Sequence, residues 1–301
     1  MTRPLRLGLL LLPALVHGAA AAETPPPIVN GQTTSDWPAV GMLAVVDPSS
    51  GGASIFCSAT LIDDLAVATA AHCEDAATSY QDAGYVIVFV VGPSIADPDD
   101  YVEVDAWSVH PDYRFDGSGV AADVAVGLLA DTLQASVQPM PMHREDLGTD
   151  WYDQDLTLVG FGITGDSAYD AGTKRTTTLP VLTLDSDFVY AVDPEPGGSN
   201  ACSGDSGGAA LRQGDQGDEL VGVLSFVFSY HDPGTACIGG GVGATRVDVF
   251  GDWIAEEAGM GASDGGGQDG GATDGGGAGG SVDGGDDGGG GDNPFLEARG
   301  T

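Results

Sequence analysis

Gly204-Asp205-Ser206-Gly207-Gly208 sets a serine between glycines in the second half of the chain. Glycine admits backbone conformations closed to other residues, so this serine can occupy a tight turn that a substrate carbonyl approaches closely. Successive backbone N–H groups in such a turn can converge on one point and form an oxyanion hole. The same string would also suit an ordinary glycine-rich turn. A serine hydroxyl is a poor nucleophile at neutral pH and needs a base beside it.

Working outward, Thr69-Ala70-Ala71-His72-Cys73 supplies a candidate base, although a lone histidine beside a cysteine is more often structural. Asp123-Val124-Ala125-Val126-Gly127-Leu128-Leu129 offers a carboxylate at the head of an apolar run, preceded by His110-Pro111-Asp112-Tyr113. Together these motifs resemble the trypsin/chymotrypsin-like serine endopeptidases, in a bacterial-type secreted form. The order His, Asp, Ser is that of the chymotrypsin branch and not of the subtilisin or α/β-hydrolase branches. Three motifs in that order are far more specific than any one alone.

The resemblance covers residues 28 to about 258 and implies an all-β fold. Two packed antiparallel six-stranded β-barrels are expected, meeting near residues 135–150, with a C-terminal helix closing the second. It implies a catalytic triad of His72, Asp123 and Ser206, with the Gly204 and Ser206 amides as the oxyanion hole. Ile28-Val29-Asn30-Gly31 resembles the family's mature N-terminus. Cleavage after Pro27 would free an ammonium on Ile28 to pair with Asp205, so the uncut chain is expected to be a weak zymogen. Pro27 is an odd residue for such a site, and the activator stays open. The family pattern pairs Cys57 with Cys73 and Cys202 with Cys237; the first bridge would contribute about 3 kcal/mol by loop entropy. Ser225 matches the serine that bonds the triad aspartate, and Phe161 stands where tryptophan is usual.

Substrate preference departs from the trypsin pattern. Asn200 falls at the floor of the specificity pocket, where trypsins carry aspartate, so a buried Lys or Arg of a substrate would lack its counter-charge. Val227 falls where chymotrypsins have glycine and narrows the pocket toward small or medium uncharged side chains. Ala209 replaces a common proline, and the short stretch from Leu184 to Asn200 lacks a helical loop and its disulfide.

Composition agrees with an exported enzyme. Arg3 and Arg6, an apolar run from Leu7 to Val16 and the alanines 19–22 read as a secretory signal over residues 1–22, followed by a short propeptide at 23–27. The apolar run is too short for a bilayer core of about 30 Å. Four cysteines in an exported chain suggest two disulfides and no metal site. A formal net charge of −36, with Lys174 the only lysine, argues against nucleic acid and against anionic membranes as partners. High-salt screening and plain solubility both account for that charge. No cofactor, no membrane insertion and a monomer acting on protein or peptide substrates are expected.

Between Glu23 and Gly259, short apolar runs alternate with turn residues, which suggests an all-β barrel or sandwich. Strands are expected at Val40–Val46, Ile55–Leu61, Ala66–Ala70, Val86–Val91, Val102–Val109 and Val124–Leu129. A second set lies at Leu156–Gly160, Val181–Leu184, Phe188–Val192 and Leu220–Phe228. The one helix expected runs through Val249, Phe250, Trp253 and Ile254, which recur at helical spacing. His143 and His231 read as polar-loop residues. Residues 259–301, mostly Gly, Asp, Ala and Ser, read as a disordered, self-repelling linker or tail, with cell-surface association through it left open. A calcium-binding β-roll would need an apolar residue in each repeat, which Gly266–Thr273 does not supply. The rival reading from another class is a non-catalytic binding module on the same fold. An esterase is a weaker rival, because it would place the triad in a different chain order.

Overall fold

The computed structural model describes residues 28–116, 119–214 and 217–260, so the expected signal and propeptide and nearly all of the expected tail lie outside the described residues. In chain order the elements are β1 (Gln32–Thr33), β2 (Val40–Val46), β3 (Ala53–Asp63), β4 (Ala66–Thr69), α1 (Ala71–Asp82), β5 (Val86–Val91), β6 (Asp100–Val109), β7 (Arg114–Asp116), β8 (Gly119–Ala121) and β9 (Ala125–Leu129). There follow β10 (Asp155–Gly160), β11 (Arg175–Leu184), β12 (Phe188–Val192), β13 (Ala209–Gly214), β14 (Gly217–Ser229), β15 (Gly240–Arg246) and α2 (Val247–Glu257). A single 3-10 turn at Thr149–Trp151 precedes β10.

Six strands close the first barrel in the order β2-β3-β4-β9-β6-β5. The second runs β11-β10-β13-β14-β15-β12 and closes through a β11–β12 pairing, with β1 added at the edge of β11. All pairings in both are antiparallel. The sequence explains the closure. Strands such as Val40–Val46 and Val86–Val91 are apolar on both faces because one face fills the barrel and the other packs on neighbouring elements. Met42, Leu43, Ile87 and Phe89 are fully enclosed, and each contributes about 1.5–3 kcal/mol of apolar burial. One core cluster holds the first barrel together with Val159, Phe161 and Leu211 of the second and Phe250 and Ile254 of α2, so the barrels share buried surface.

The strands β1, β7, β8, β13 and β15 and the helix α1 lie outside the sequence expectation, and two of them show why. The helix α1 buries only Ala71, Cys73 and Ala77, side chains too small to write a helical stripe into the sequence. Strand β15 is rich in glycine and absent from the expected strands, yet it pairs with β14 from Gly240 to Arg246 and with β12 from Gly241 to Thr245. The rings of Phe226 and Phe228 lie where β-carbons of Gly243 and Gly241 would stand. Phe188, Tyr190, Phe226 and Phe228 continue as an edge-on aromatic ladder across β12 and β14. No helix among the described residues is long and apolar enough to cross a membrane.

The only lysine is another surprise. Lys174 is 1% exposed, donates to the carbonyl of Trp37 at 3.0 Å and sits 5.6 Å from the Phe161 ring centre. Burial pulls its pKa down to about 8, against the opposing pull of Asp99 and Asp36.

Candidate active site

His72 is the second residue of α1, carried on the connection that leaves β4 of the first barrel. The Cys57–Cys73 disulfide ties that turn back to β3. Asp123 heads β9 and is wholly enclosed. His72 Nδ1 lies 2.8 Å from Asp123 Oδ2, and the His72 backbone N–H donates to Oδ1 at 3.0 Å. The second barrel grips the same aspartate. Ser225 Oγ on β14 donates to Oδ2, and Thr245 Oγ1 on β15 donates to the Asp123 carbonyl at 2.8 Å. Burial pushes the carboxyl up, but the hydrogen bonds and charge of His72, with the Ser225 bond, outweigh it and hold its pKa below the usual value. An ionised Asp123 accepts from a protonated Nδ1, which orients the imidazole with Nε2 turned away from the carboxylate.

Ser206 and His72 both line a cavity of about 260 Å³ between the barrels, lined also by Phe115, Ser225, Phe226, Val227 and Val242. The glycines around Ser206 have separate duties. Gly204 has a φ of +95° and Gly207 of +80°, both in the left-handed region. A β-carbon on Gly207 would collide with Ser58 O and Thr69 Oγ1, so its absence lets the first barrel's backbone close onto the serine turn. Ser58 then stitches the two barrels. Its N–H donates to Ser206 O at 2.7 Å, and its Oγ donates to Gly204 O at 2.9 Å while accepting from Phe161 N at 3.1 Å. The Gly204 and Ser206 amides donate to nothing among the described residues, which leaves both available to an oxyanion.

Asp205 points the other way from Ser206, into the protein. Its carboxylate accepts from Gly162 N at 2.7 Å and Cys202 N at 2.9 Å. Burial nevertheless raises its pKa to about 6, because these two amides and the charge of Arg175 compensate only in part. Ile28 is fully buried, with a φ of 41° that a β-branched residue rarely adopts. Its neighbour Val29 pairs with Asn200.

The pocket residues separate. Val227 pairs with Val242 across β14 and β15, and both line the cavity. Asn200 lies outside the lining and fully buried, with Nδ2 donating to Ala236 O at 2.8 Å and Gly241 O at 3.2 Å. Its Oδ1 has no partner among the described residues. The Cys202–Cys237 disulfide ties the serine turn to the segment beyond β14. His143, which reads as a polar-loop residue, is buried against Trp151 with Nδ1 3.0 Å from Glu219 Oε2. Its polar sequence neighbours conceal that a backbone bond to Leu220 draws it inward. Ser58, Thr245, Val242 and Phe115 carry no motif in the sequence and come into view only through the pairing of the barrels.

Comparison with known proteins agrees with this geometry. The family model described as Trypsin matches residues 28–254. A trypsin from Phaedon cochleariae is 29% identical over 67% of this chain and 78% of its own. Brachyurin from Leptuca pugilator is 29% identical over 75% of this chain and 95% of its own, and Trypsin-1 from Salmo salar is 26% identical over 80% and 94%. With two closed barrels meeting at a serine turn, a buried aspartate–histidine pair and a family match over most of its length, the chain belongs to the trypsin family of serine endopeptidases.

Proposed function

We propose that His72, Asp123 and Ser206 form the catalytic triad of a secreted peptidase that cleaves after small or medium uncharged residues. The observation that carries the triad is the enclosed Asp123, bonded at once to His72 and Ser225, with Ser206 lining the same cavity as His72. In the reaction His72 Nε2 takes the Ser206 hydroxyl proton as Oγ attacks the scissile carbonyl. Asp123 steadies the imidazolium, and the Gly204 and Ser206 amides receive the developing negative oxygen. The protonated His72 then gives its proton to the leaving amine. Water, deprotonated by His72, hydrolyses the resulting ester and restores Ser206.

The preference for small uncharged side chains rests on the Val227–Val242 pair. The two branched side chains sit side by side on adjacent strands of the lining, while Asn200, an uncharged amide bonded to Ala236 and Gly241, stands outside it and offers no counter-charge to a Lys or Arg. Activation by release of an Ile28 ammonium is supported from two sides. Asp205 is a buried carboxylate still short of positive charge, and Ile28 is itself fully buried at a strained φ of 41° that cleavage before it would release. Export rests on the basic, apolar and alanine-rich order of residues 1–22, with surface attachment through the acidic tail a further arrangement of the same chain.

Hydrolysis of matched peptide anilides bearing Ala, Val, Phe or Arg before the scissile bond tests the reading on the chain beginning at Ile28. The expected order of kcat/KM is Ala and Val above Phe, with Arg at the Ser206→Ala background. Fastest cleavage after Arg would overturn the specificity assignment. No cleavage of any peptide by a folded chain would favour the binding-module reading.

A further inference from the structure

The serine turn has a second buried charge beneath it that the triad chemistry does not use. Arg175 is 5% exposed and lies on β11, where its backbone pairs with Gly160 on one side and with Thr33 of the N-terminal strand on the other. Its Nη1 donates to the carbonyl of Gly162 at 2.7 Å. Its ion pair is a long one, 3.4 Å from Nη2 to the half-exposed Asp170, and its buried Nε has no partner among the described residues. A guanidinium enclosed with so few partners is expensive unless its charge serves something else buried nearby.

Gly162 is what it serves. The carbonyl that Arg175 holds shares a peptide plane with the N–H of Ile163, which donates to Ser203 O at 2.9 Å. The N–H of Gly162 itself donates to Asp205 Oδ1 at 2.7 Å. Bonds made in series polarise and strengthen one another in a water-free interior. Through the Gly162–Ile163 peptide Arg175 reaches Ser203 in series, and by fixing Gly162 it holds in place the separate N–H that Asp205 accepts, so it bears on both sides of Gly204 without touching Asp205 directly.

We infer that Arg175 is a positioning residue for the oxyanion turn, a built-in counter-charge for Asp205 that acts through Gly162 and does not depend on a free N-terminus at Ile28. The inference rests on the peptidase reading and adds a consequence to it. The chain still joined at Pro27–Ile28 holds a formed turn and retains turnover, and cleavage raises that activity without creating it. Burial lowers the Arg175 pKa from its ordinary value, while the charges of Asp170 and Asp205 oppose the shift. Asp205 feels the reciprocal attraction.

The test is a double cycle between Arg175 and the N-terminus. The uncut chain and the chain beginning at Ile28, which keeps every described residue, are each assayed as wild type, Arg175→Gln and Arg175→Lys. In the uncut chain Arg175→Gln is expected to lower kcat at least tenfold more than it does once Ile28 is free, with KM changed less than threefold. Arg175→Lys, which keeps the charge, should recover most of that extra loss. A purely structural role predicts equal losses in both forms, and equal losses would overturn the inference alone. An uncut wild type no faster than its Ser206→Ala variant would also overturn it, and this arm stands even if Arg175→Gln does not fold. A chain from Ile28 that hydrolyses nothing would overturn the peptidase reading, and this inference with it.

Discussion

Asp123 in the first barrel and Asp205 in the second are both fully buried, yet the protein shifts their acidities in opposite directions. Asp123 meets an imidazole that can carry charge, a hydroxyl and an amide, and it stays ionised. Asp205 meets two backbone amides and an indirect guanidinium, and its pKa rises to about 6. Burial is the same in both; compensation differs. The first barrel thus presents a finished aspartate–histidine pair. The second presents a turn whose supporting carboxylate is still short of positive charge, which is where a new ammonium would act.

The largest effect expected from breaking this contrast is at Asp123. Asp123→Asn should leave the fold in place and lower kcat by about 10⁴, since the amide favours the wrong imidazole tautomer. A loss under tenfold would show that His72 does not need the carboxylate. Asp205 should instead announce itself in stability. Its folded pKa of about 6 lies above its ordinary 3.8, so its contribution is present below about pH 4 and is lost as pH rises through 6. Across that window the uncut chain should lose about 3 kcal/mol relative to Asp205→Asn, measured by urea unfolding. Freeing Ile28 should shrink the difference. A difference independent of pH would mean that Asp205 is already fully compensated.

Smaller effects sharpen the comparison. Ser225→Ala removes a bond to a charged group, worth about 1.5–3 kcal/mol, and should lower kcat roughly tenfold or more with KM little changed. Ser58→Ala removes one donor to Gly204 and one acceptor from Phe161, and should reduce unfolding free energy by about 1–3 kcal/mol. Unchanged thermal unfolding in Ser58→Ala would show that the glycine turn holds the barrels together unaided.

Much of this was legible beforehand because motif residues sit at conformations few sequences satisfy. Gly204 and Gly207 need left-handed backbone, and the barrel strands need unbroken apolar runs. The two disulfides match the pairing that the family resemblance implies. What escaped the sequence depends on residues distant along the chain. Ser58 reaches Gly204 across 146 positions, and Thr245 reaches Asp123 across 122. The strand β15 hid because aromatic rings on β14 supply the volume its glycines lack. Arg175 hid because a Lys-Arg pair in a charged chain looks like surface. The helix α1 hid because alanine and cysteine leave no apolar stripe.

Active-site titration with a fluorophosphonate probe tests the central claim most directly, on the chain beginning at Ile28 and on its Ser206→Ala variant. The account predicts stoichiometric labelling of the first at Ser206 and none of the second. Absence of labelling in a chain whose circular dichroism reports a folded β protein would contradict it.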